Sequence, residues 1–310
     1  MSAPARLLQL HGVIVDLIYR VEAVPRPGSE TIVHGFDMSP GGGYNAMVAA
    51  KRSGLTVIYA GSLGTGPLSE MVRDALDAEE IECLHPRDSE RDQGCCTVMI
   101  DEASERTFVA AEGAEGHIAE PDLRRIATAE FDWSLISGYT LYYKGTGPAL
   151  TRWLEVEPKI PNLVFDPGPL IASVRPEAIA AVLSRAAWVS ANAAEAAVLT
   201  SERNPLNAAQ RLAEDRAGGA VVRLGSEGSI VAWDGHHRRV PGHPVAAVDT
   251  NGAGDAHIGA FIAALARGQD PAEAALYANI AAAISTTQHG PATAPDLTTI
   301  QETLRLKEAG

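Results

Sequence analysis

Along this chain, short continuous apolar runs alternate with stretches in which apolar residues return every three or four positions. The runs RLLQLHGVIVD (6–16), TVIYAGSLG, FDWSLISG, NLVFDPGP, AAWVSAN and AVVRLGSEG have the length and β-branched content of buried strands. The first reads as one strand that begins buried and ends at an acid, Asp16. Between these runs, NAMVAAKRSGL, PLSEMVRDALDAEEI, GPALTRWLEVE, PEAIAAVLSRA, AAEAAVLT and PLNAAQRLAEDRA carry helical patterns. Leu68, Met71, Val72, Ala75 and Leu76, for example, fall at i, i+3, i+4, i+7 and i+8. Gly54 is a plausible stop for the first of these helices. GSIVAWDG and HHRRVPG read as a hairpin, and the chain is strongly helical from 252 to about 286. Strands alternating with helices predict an α/β fold with a mostly parallel sheet covered on both faces, a three-layer α/β/α sandwich. Two β-rich patches, about 13–36 and 93–110, do not fit the alternation. In the second, CCTVMID and RTFVAA form a hairpin around the polar turn EASE. Paired together, the patches would make a small sheet near the carboxyl ends of the main strands, where ligands bind, and so a lid.

Composition narrows the function. The 310 residues allow one large α/β unit, read here as a single domain over 1–310, and 46% hydrophobic residues support a sizeable core. A net charge of −14 with no Lys/Arg-rich run argues against a nucleic-acid partner. It does not argue against anions, because backbone N–H groups can hold them. The N-terminal apolar run is too short for a signal peptide, and no run reaches the roughly eighteen apolar residues of a membrane span. Cys83, Cys95 and Cys96 are odd in number and lack metal-type spacing, which fits a reducing cytoplasm. His236, His237, His243, His257 and His289 show no ligand spacing for a metal site either.

The sharpest chemistry lies in VDTNGAGDAHIGAF (248–261). Ile258, Phe261, Ile262 and Leu265 continue from it with helical spacing, so Gly252, Ala253 and Gly254 sit at a helix start. There the first backbone N–H groups lack partners, the helix dipole is positive, and a bare backbone lets an anion come close. Asp255, in the first turn, can simply complement the dipole. It can also accept a hydroxyl proton during phosphoryl transfer. The chain has no G-x-x-x-x-G-K-[ST], and neither LGTGPLS nor LGSEGS has dinucleotide-binding spacing.

Taken with its neighbours, DTNGAGDAHIGAFI resembles the C-terminal signature of the ribokinase-like, or PfkB, carbohydrate kinases. GGGYNAMVAAKRSGLTVIYAGSLG resembles the N-terminal signature, with Gly41, Gly42, Asn45, Gly54 and Gly64 in place. SANAAEA matches the family's N-x-x-E element at Asn192 and Glu195. VDLIYRVEAVPRPGSET and TFVAAEGA resemble its two lid segments, and YANIAAAISTTQHGPATAPDLTTI its last helix and loop. The matches follow family order over nearly the whole chain.

The resemblance implies an ATP- and Mg²⁺-dependent kinase for a hydroxymethyl group of a small sugar or sugar derivative. Asp255 would be the base, with Gly252, Ala253 and Gly254 as the anion hole. Asp16, Gly42, Gly43 and Asn45 would bind the substrate, although Asn45 alone also reads as a helix N-cap. Asn192 and Glu195 would organise the phosphates and a water-bound Mg²⁺; as a pair they also read as a capping box. Gly225, Ser226, Gly228 and Asn279 would lie along the nucleotide, with a turn and a surface helix position as their plainer readings. Asp249 and the backbone of Asn251, with the 286–290 loop, resemble a monovalent-cation (K⁺) site, and a homodimer is expected. The departures fall on the substrate side: Met47 replaces a small residue, the Lys typical of ribokinases is missing, and Tyr44 and the segment 139–144 (Tyr139, Tyr142, Tyr143, Lys144) are unusual. Those tyrosines suit a nucleoside kinase of the same fold. A non-catalytic sugar-binding protein is the alternative from another class.

Overall fold

The computed structural model describes residues 3–103 and 105–309. Among them thirteen strands form two sheets. In chain order these are β1 (Arg6–Gln9), β2 (Val13–Val21), β3 (Val33–Gly42), β4 (Thr56–Tyr59), β5 (Glu82–Cys83), β6 (Cys95–Ile100), β7 (Arg106–Ala111), β8 (Trp133–Ser137), β9 (Leu163–Asp166), β10 (Trp188–Asn192), β11 (Gly219–Arg223), β12 (Ser229–Trp233) and β13 (His236–Val240). The larger sheet has nine strands in the order β13-β12-β11-β10-β9-β8-β1-β4-β5. It is parallel from β5 through β11, and β12 and β13 close it as an antiparallel hairpin.

Its strands are continuous apolar runs because both faces are covered. Leu7, Val57, Leu135, Val164, Trp188 and Val221 enter one core, with the helices Gly43–Arg52, Ala253–Ala266 and Pro271–Ser285. Their sequence neighbours Leu8, Ile58, Ile136, Phe165, Val189 and Val222 enter the other, with the helices Thr146–Val156, Pro176–Arg185 and Pro205–Ala213. Strict alternation between two apolar layers is the signature of a parallel sheet buried on both sides.

The four-stranded sheet, in the order β3-β2-β6-β7, stands apart from the first. β2 and β6, distant in sequence, pair in parallel at its centre. Its strands reach beyond the expected patches, since β3 continues to Gly42 and β7 to Ala111. Ser104, in the EASE turn, lies outside the described residues.

One expectation is corrected. The run 6–16 is two strands in different sheets, and Asp16 is in the middle of β2 rather than at a strand end. The chain leaves the large sheet after Gln9 and crosses to the small one at Gly12. There the Gly43 N–H donates to the Gly12 carbonyl at 2.9 Å. A side chain on Gly12 would lie 2.9 Å from the Glu115 Cβ, so the crossing needs glycine. Glu115 is itself buried, accepting from the backbone N–H groups of Gly94 and Gly113. The apolar run gave no sign of the break because both segments are buried.

Candidate active site

The parallel strands of the large sheet all end on one side, the edge where open α/β sheets bind ligands. In the register of the sheet Ser137 stands beside Asp166, and Asn192 beside Arg223. Here the helix Ala253–Ala266 begins. Its N-cap, Gly252, adopts φ +73°, a left-handed conformation that favours glycine, and no side chain caps the helix. The Ala253 N–H leans back on the Thr250 carbonyl at 3.4 Å, and the Ala256 N–H bonds the Gly252 carbonyl at 2.8 Å. Among the described residues, the N–H groups of Gly254 and Asp255 find no acceptor, so they remain free at the positive end of the helix.

Asp255 is half-buried and accepts a hydrogen bond from Asn45 Nδ2 at 3.3 Å. Burial, and next the negative charge of Asp166, push its pKa up to about 7, against the Asn45 bond and the charge of Arg223. Asn45 is the third residue of the helix Gly43–Arg52, whose N-cap is Gly42, so the N-cap reading of Asn45 is wrong. Its Oδ1 accepts the Ala292 N–H at 2.8 Å, tying this helix to the 290 loop. Gly42 and Gly43 form the sharp exit from β3, packed against Gly12. Asp16 is buried, and its carboxylate lies against Gly41. Burial raises its pKa to about 6, with Asn251 near enough to oppose the rise. Thus Asp16, Gly42, Gly43, Asn45, Asn251, Gly252, Ala253, Gly254 and Asp255 cluster around the start of the Ala253–Ala266 helix.

On its other side Asn192 caps the helix Ala193–Thr200. Its Oδ1 accepts the Glu195 N–H at 2.9 Å, while Glu195 accepts the Asn192 N–H at 2.8 Å. The capping box is therefore present. Glu195 also meets Arg223 Nη2 at 3.4 Å, as does Asp166. Burial, then repulsion from Asp166, raises the Glu195 pKa, and Arg223 opposes both. The Arg223 guanidinium lies within van der Waals reach of a side chain placed on Gly254, which joins the Glu195 cluster to the free N–H groups. Immediately beyond Arg223, Gly225 and Ser226 lie in the short 3₁₀ turn Gly225–Glu227. Gly225 has open space around it, and Gly228 packs on the backbone of Val240 and Gly242. Asn279 is buried, so the surface-helix reading fails. Its Nδ2 donates to the carbonyls of Val240 and Pro241, both at 3.2 Å, and its Oδ1 meets His257 Nε2 at 3.1 Å. It thus supports the wall under the Gly225–Gly228 turn from inside.

A family model described as pfkB family carbohydrate kinase matches residues 9–298. The chain is a PfkB-family carbohydrate kinase. It is 31% identical over 275 residues to the uncharacterized sugar kinase YegV of Escherichia coli, covering 87% of this chain and 84% of that one. It is 27% identical over 311 residues to a ribokinase of Haemophilus influenzae, covering 97% and 98%. The crystal structure of the adenosine kinase of Sinorhizobium meliloti superposes with a TM-score of 0.83 at 21% identity, over 98% of this chain and 100% of that one. The architecture of the kinase is accordingly ribokinase-like.

Within this kinase, the tyrosines divide. Tyr44 is buried in the core and its hydroxyl donates to the Ala75 carbonyl at 3.3 Å, so it is not beside the cleft as the sequence suggested. Met47 is likewise core. Tyr142 is exposed. Tyr139 lies near Asp255, Asp166 and Glu195, stacked on His11 with ring centroids 6.0 Å apart and planes 9° from parallel. Burial, then the nearby Asp255, raises its pKa to about 12. Burial holds His11 down to about 4, so the ring is neutral near pH 7. His11, Asp166 and Arg223 escaped sequence reasoning. Their signal was position: each sits at or just past a strand end on the ligand edge.

Proposed function

We propose that this kinase moves the γ-phosphoryl group of ATP to a hydroxyl, most simply a hydroxymethyl, of a small sugar or sugar derivative. Asp255 takes the hydroxyl proton as that oxygen attacks phosphorus. The backbone at Gly252, Ala253 and Gly254 receives the charge that develops on the transferring group. One observation carries this reading: the Asp255 carboxylate stands in the first turn of a helix whose Gly254 and Asp255 N–H groups are unpartnered, where burial pushes its pKa up to about 7. A base is most effective when its pKa lies near the working pH.

Asp16, with Asn45 beside it, holds the acceptor's other hydroxyls. The turn at Gly225, Ser226 and Gly228 gives the nucleotide an open, side-chain-poor surface. For Mg²⁺, Glu195 and Asp166 offer hard oxygen acceptors that would hold the ion through its water shell, because Arg223 and Asn192 already bond their oxygens directly. Bound there, Mg²⁺ supplies charge that offsets the phosphates. The small sheet, which carries Asp16, serves as the lid. Phe36, Met38 and Val109 are exposed on one face of that sheet, which supports its pairing with a second copy of the chain. Light scattering on the purified protein would return a dimer mass.

A nucleoside acceptor is the second reading, favoured by the Tyr139–His11 stack against which a base could lie. An ATP-consumption screen over pentoses, hexoses, ketodeoxy sugar acids and nucleosides separates the two. Turnover with a sugar or sugar acid supports the first reading, and turnover confined to nucleosides replaces it with the second.

A further inference from the structure

The resemblance leads one to expect a monovalent cation at Asp249, yet the residues present do not fit one as they are arranged. The Asp249 carboxylate is buried. Its Oδ1 accepts from Arg106 Nη2 at 2.7 Å and from the Asn251 N–H at 2.9 Å, and its Oδ2 accepts from the Gly290 N–H at 3.3 Å. The positive charge beside this carboxylate is already there, on a side chain. Despite the cost of burial, the Asn251 and Gly290 N–H groups and the Arg106 guanidinium hold the Asp249 pKa below the usual carboxylate range.

Arg106 reaches Asp249 from far away in sequence. It is the first residue of β7, at the edge of the small sheet. In the sheet register Arg106 pairs with Ile100, which pairs with Arg20, so Arg106 shares a face with Arg20 and Asp16. The face that offers Asp16 to the cleft therefore also delivers the guanidinium. At the other end of the contact, Asp249 anchors the loop that leads into the free helix N–H groups. It accepts the Asn251 N–H one residue before Gly252, and the N–H groups of Val248 and Asp249 both bond the Thr286 carbonyl. A buried carboxylate left without its cation would be costly and would loosen this loop.

We propose that Arg106 is a tethered monovalent cation: the small sheet supplies, as a guanidinium, the charge that orders the 249–252 loop, and dissolved K⁺ is not needed. Arg106 is a positioning residue, acting through Asp249 on the backbone that faces the phosphoryl group. Covering the acceptor and completing the anion cradle then become one event, because one sheet does both. The inference rests on reading Gly252, Ala253 and Gly254 as that cradle.

The test compares wild type, Arg106→Gln and Arg106→Lys in KCl and in choline chloride of equal ionic strength. Turnover is measured with an acceptor from the screen, and melting temperature without nucleotide or acceptor. Wild type should have the same kcat and the same melting temperature in both salts. Arg106→Gln should lose roughly tenfold in kcat in choline chloride, less than the roughly 10²–10³-fold of an anion-hole donor removed outright, because here the donors are only loosened. KCl should restore most of that loss and raise the variant's melting temperature. Arg106→Lys should keep most of its turnover in either salt. Strong K⁺ activation of the wild type would overturn the proposal. So would an Arg106→Gln enzyme that is fully active in choline chloride and melts identically in both salts, or one that KCl neither stabilises nor rescues. Melting needs no turnover: a KCl effect on melting without one on kcat would overturn the cradle reading and leave the Arg106 assignment standing.

Discussion

The donor side of the cleft, where Glu195, Arg223 and the start of the Ala253–Ala266 helix meet, is made from strand ends and helix starts of the large sheet. The acceptor side is made differently. Asp16 comes from the small sheet, His11 from the crossing between sheets, Asn45 from one helix start and Tyr139 from another. On the proposed reading, the backbone does the recognising on the donor side, so its pattern is local and readable. On the acceptor side of that reading, side chains from distant segments would do it, and which of them face the site depends on how two sheets are set against each other. The first arrangement suits a reaction common to many substrates, and the second suits the choice among them.

That division can be broken most forcefully at Asp255. Asp255→Asn should lower kcat by about 10²–10⁴-fold, the usual range for a lost general base, with little change in the acceptor KM. The same variant should gain stability. A folded-state pKa pushed up to about 7 from the ordinary value of 3.8 means that the folded protein holds the extra proton. The associated stability is complete below pH 4 and is lost as pH rises through 7. Asn escapes that loss, so at pH 8 the variant should be more stable by about 1–3 kcal/mol, discounted for partial exposure, and the gain should shrink towards pH 4. Urea denaturation at the two pH values checks this.

Asp16 sharpens the comparison from the other side. Asp16→Asn should raise the acceptor KM by roughly tenfold, about the worth of one hydrogen bond to a charged group, and leave the KM for ATP alone. Equal effects on both KM values would mean that the two sides are not separable.

The tyrosines give the smallest effects. Tyr139→Leu should change the ratio of kcat/KM between a sugar and a nucleoside acceptor by a few-fold, through lost stacking of about 1 kcal/mol. Tyr44→Phe should change neither kinetic constant and cost no more than about 1 kcal/mol of stability, the worth of its bond to Ala75. Steady-state kinetics with both acceptors and one thermal melt distinguish these outcomes.

The same contrast governs what the sequence made legible. The alternating strands and helices, the helix start at Gly252 and the Asn192–Glu195 pair are local patterns, and each corresponds to an element of the structure. The split of 6–16 into two strands was not legible, because a run buried in one sheet and then in another keeps the same apolar signature and only Gly12 marks the break. Tyr44 and Met47 drew attention beside the glycine loop, yet on the Gly43–Arg52 helix they turn into the core. Asp166, His11 and Arg223 gave only the signal of position, at or just past a strand end, and Arg106 gave none, since each gains its meaning from a partner that is remote in sequence.

The central claim is that a carboxylate held near neutrality by burial takes the acceptor's proton. The pH dependence of kcat/KM for the acceptor tests it directly, because it reports the protonation of that group before the acceptor binds. The wild type should be level above pH 8 and fall about tenfold per pH unit below about 7, while the residual activity of Asp255→Asn should lack that limb. A wild-type profile that stays level down to pH 5.5, or an Asp255→Asn enzyme that keeps the limb, would contradict it.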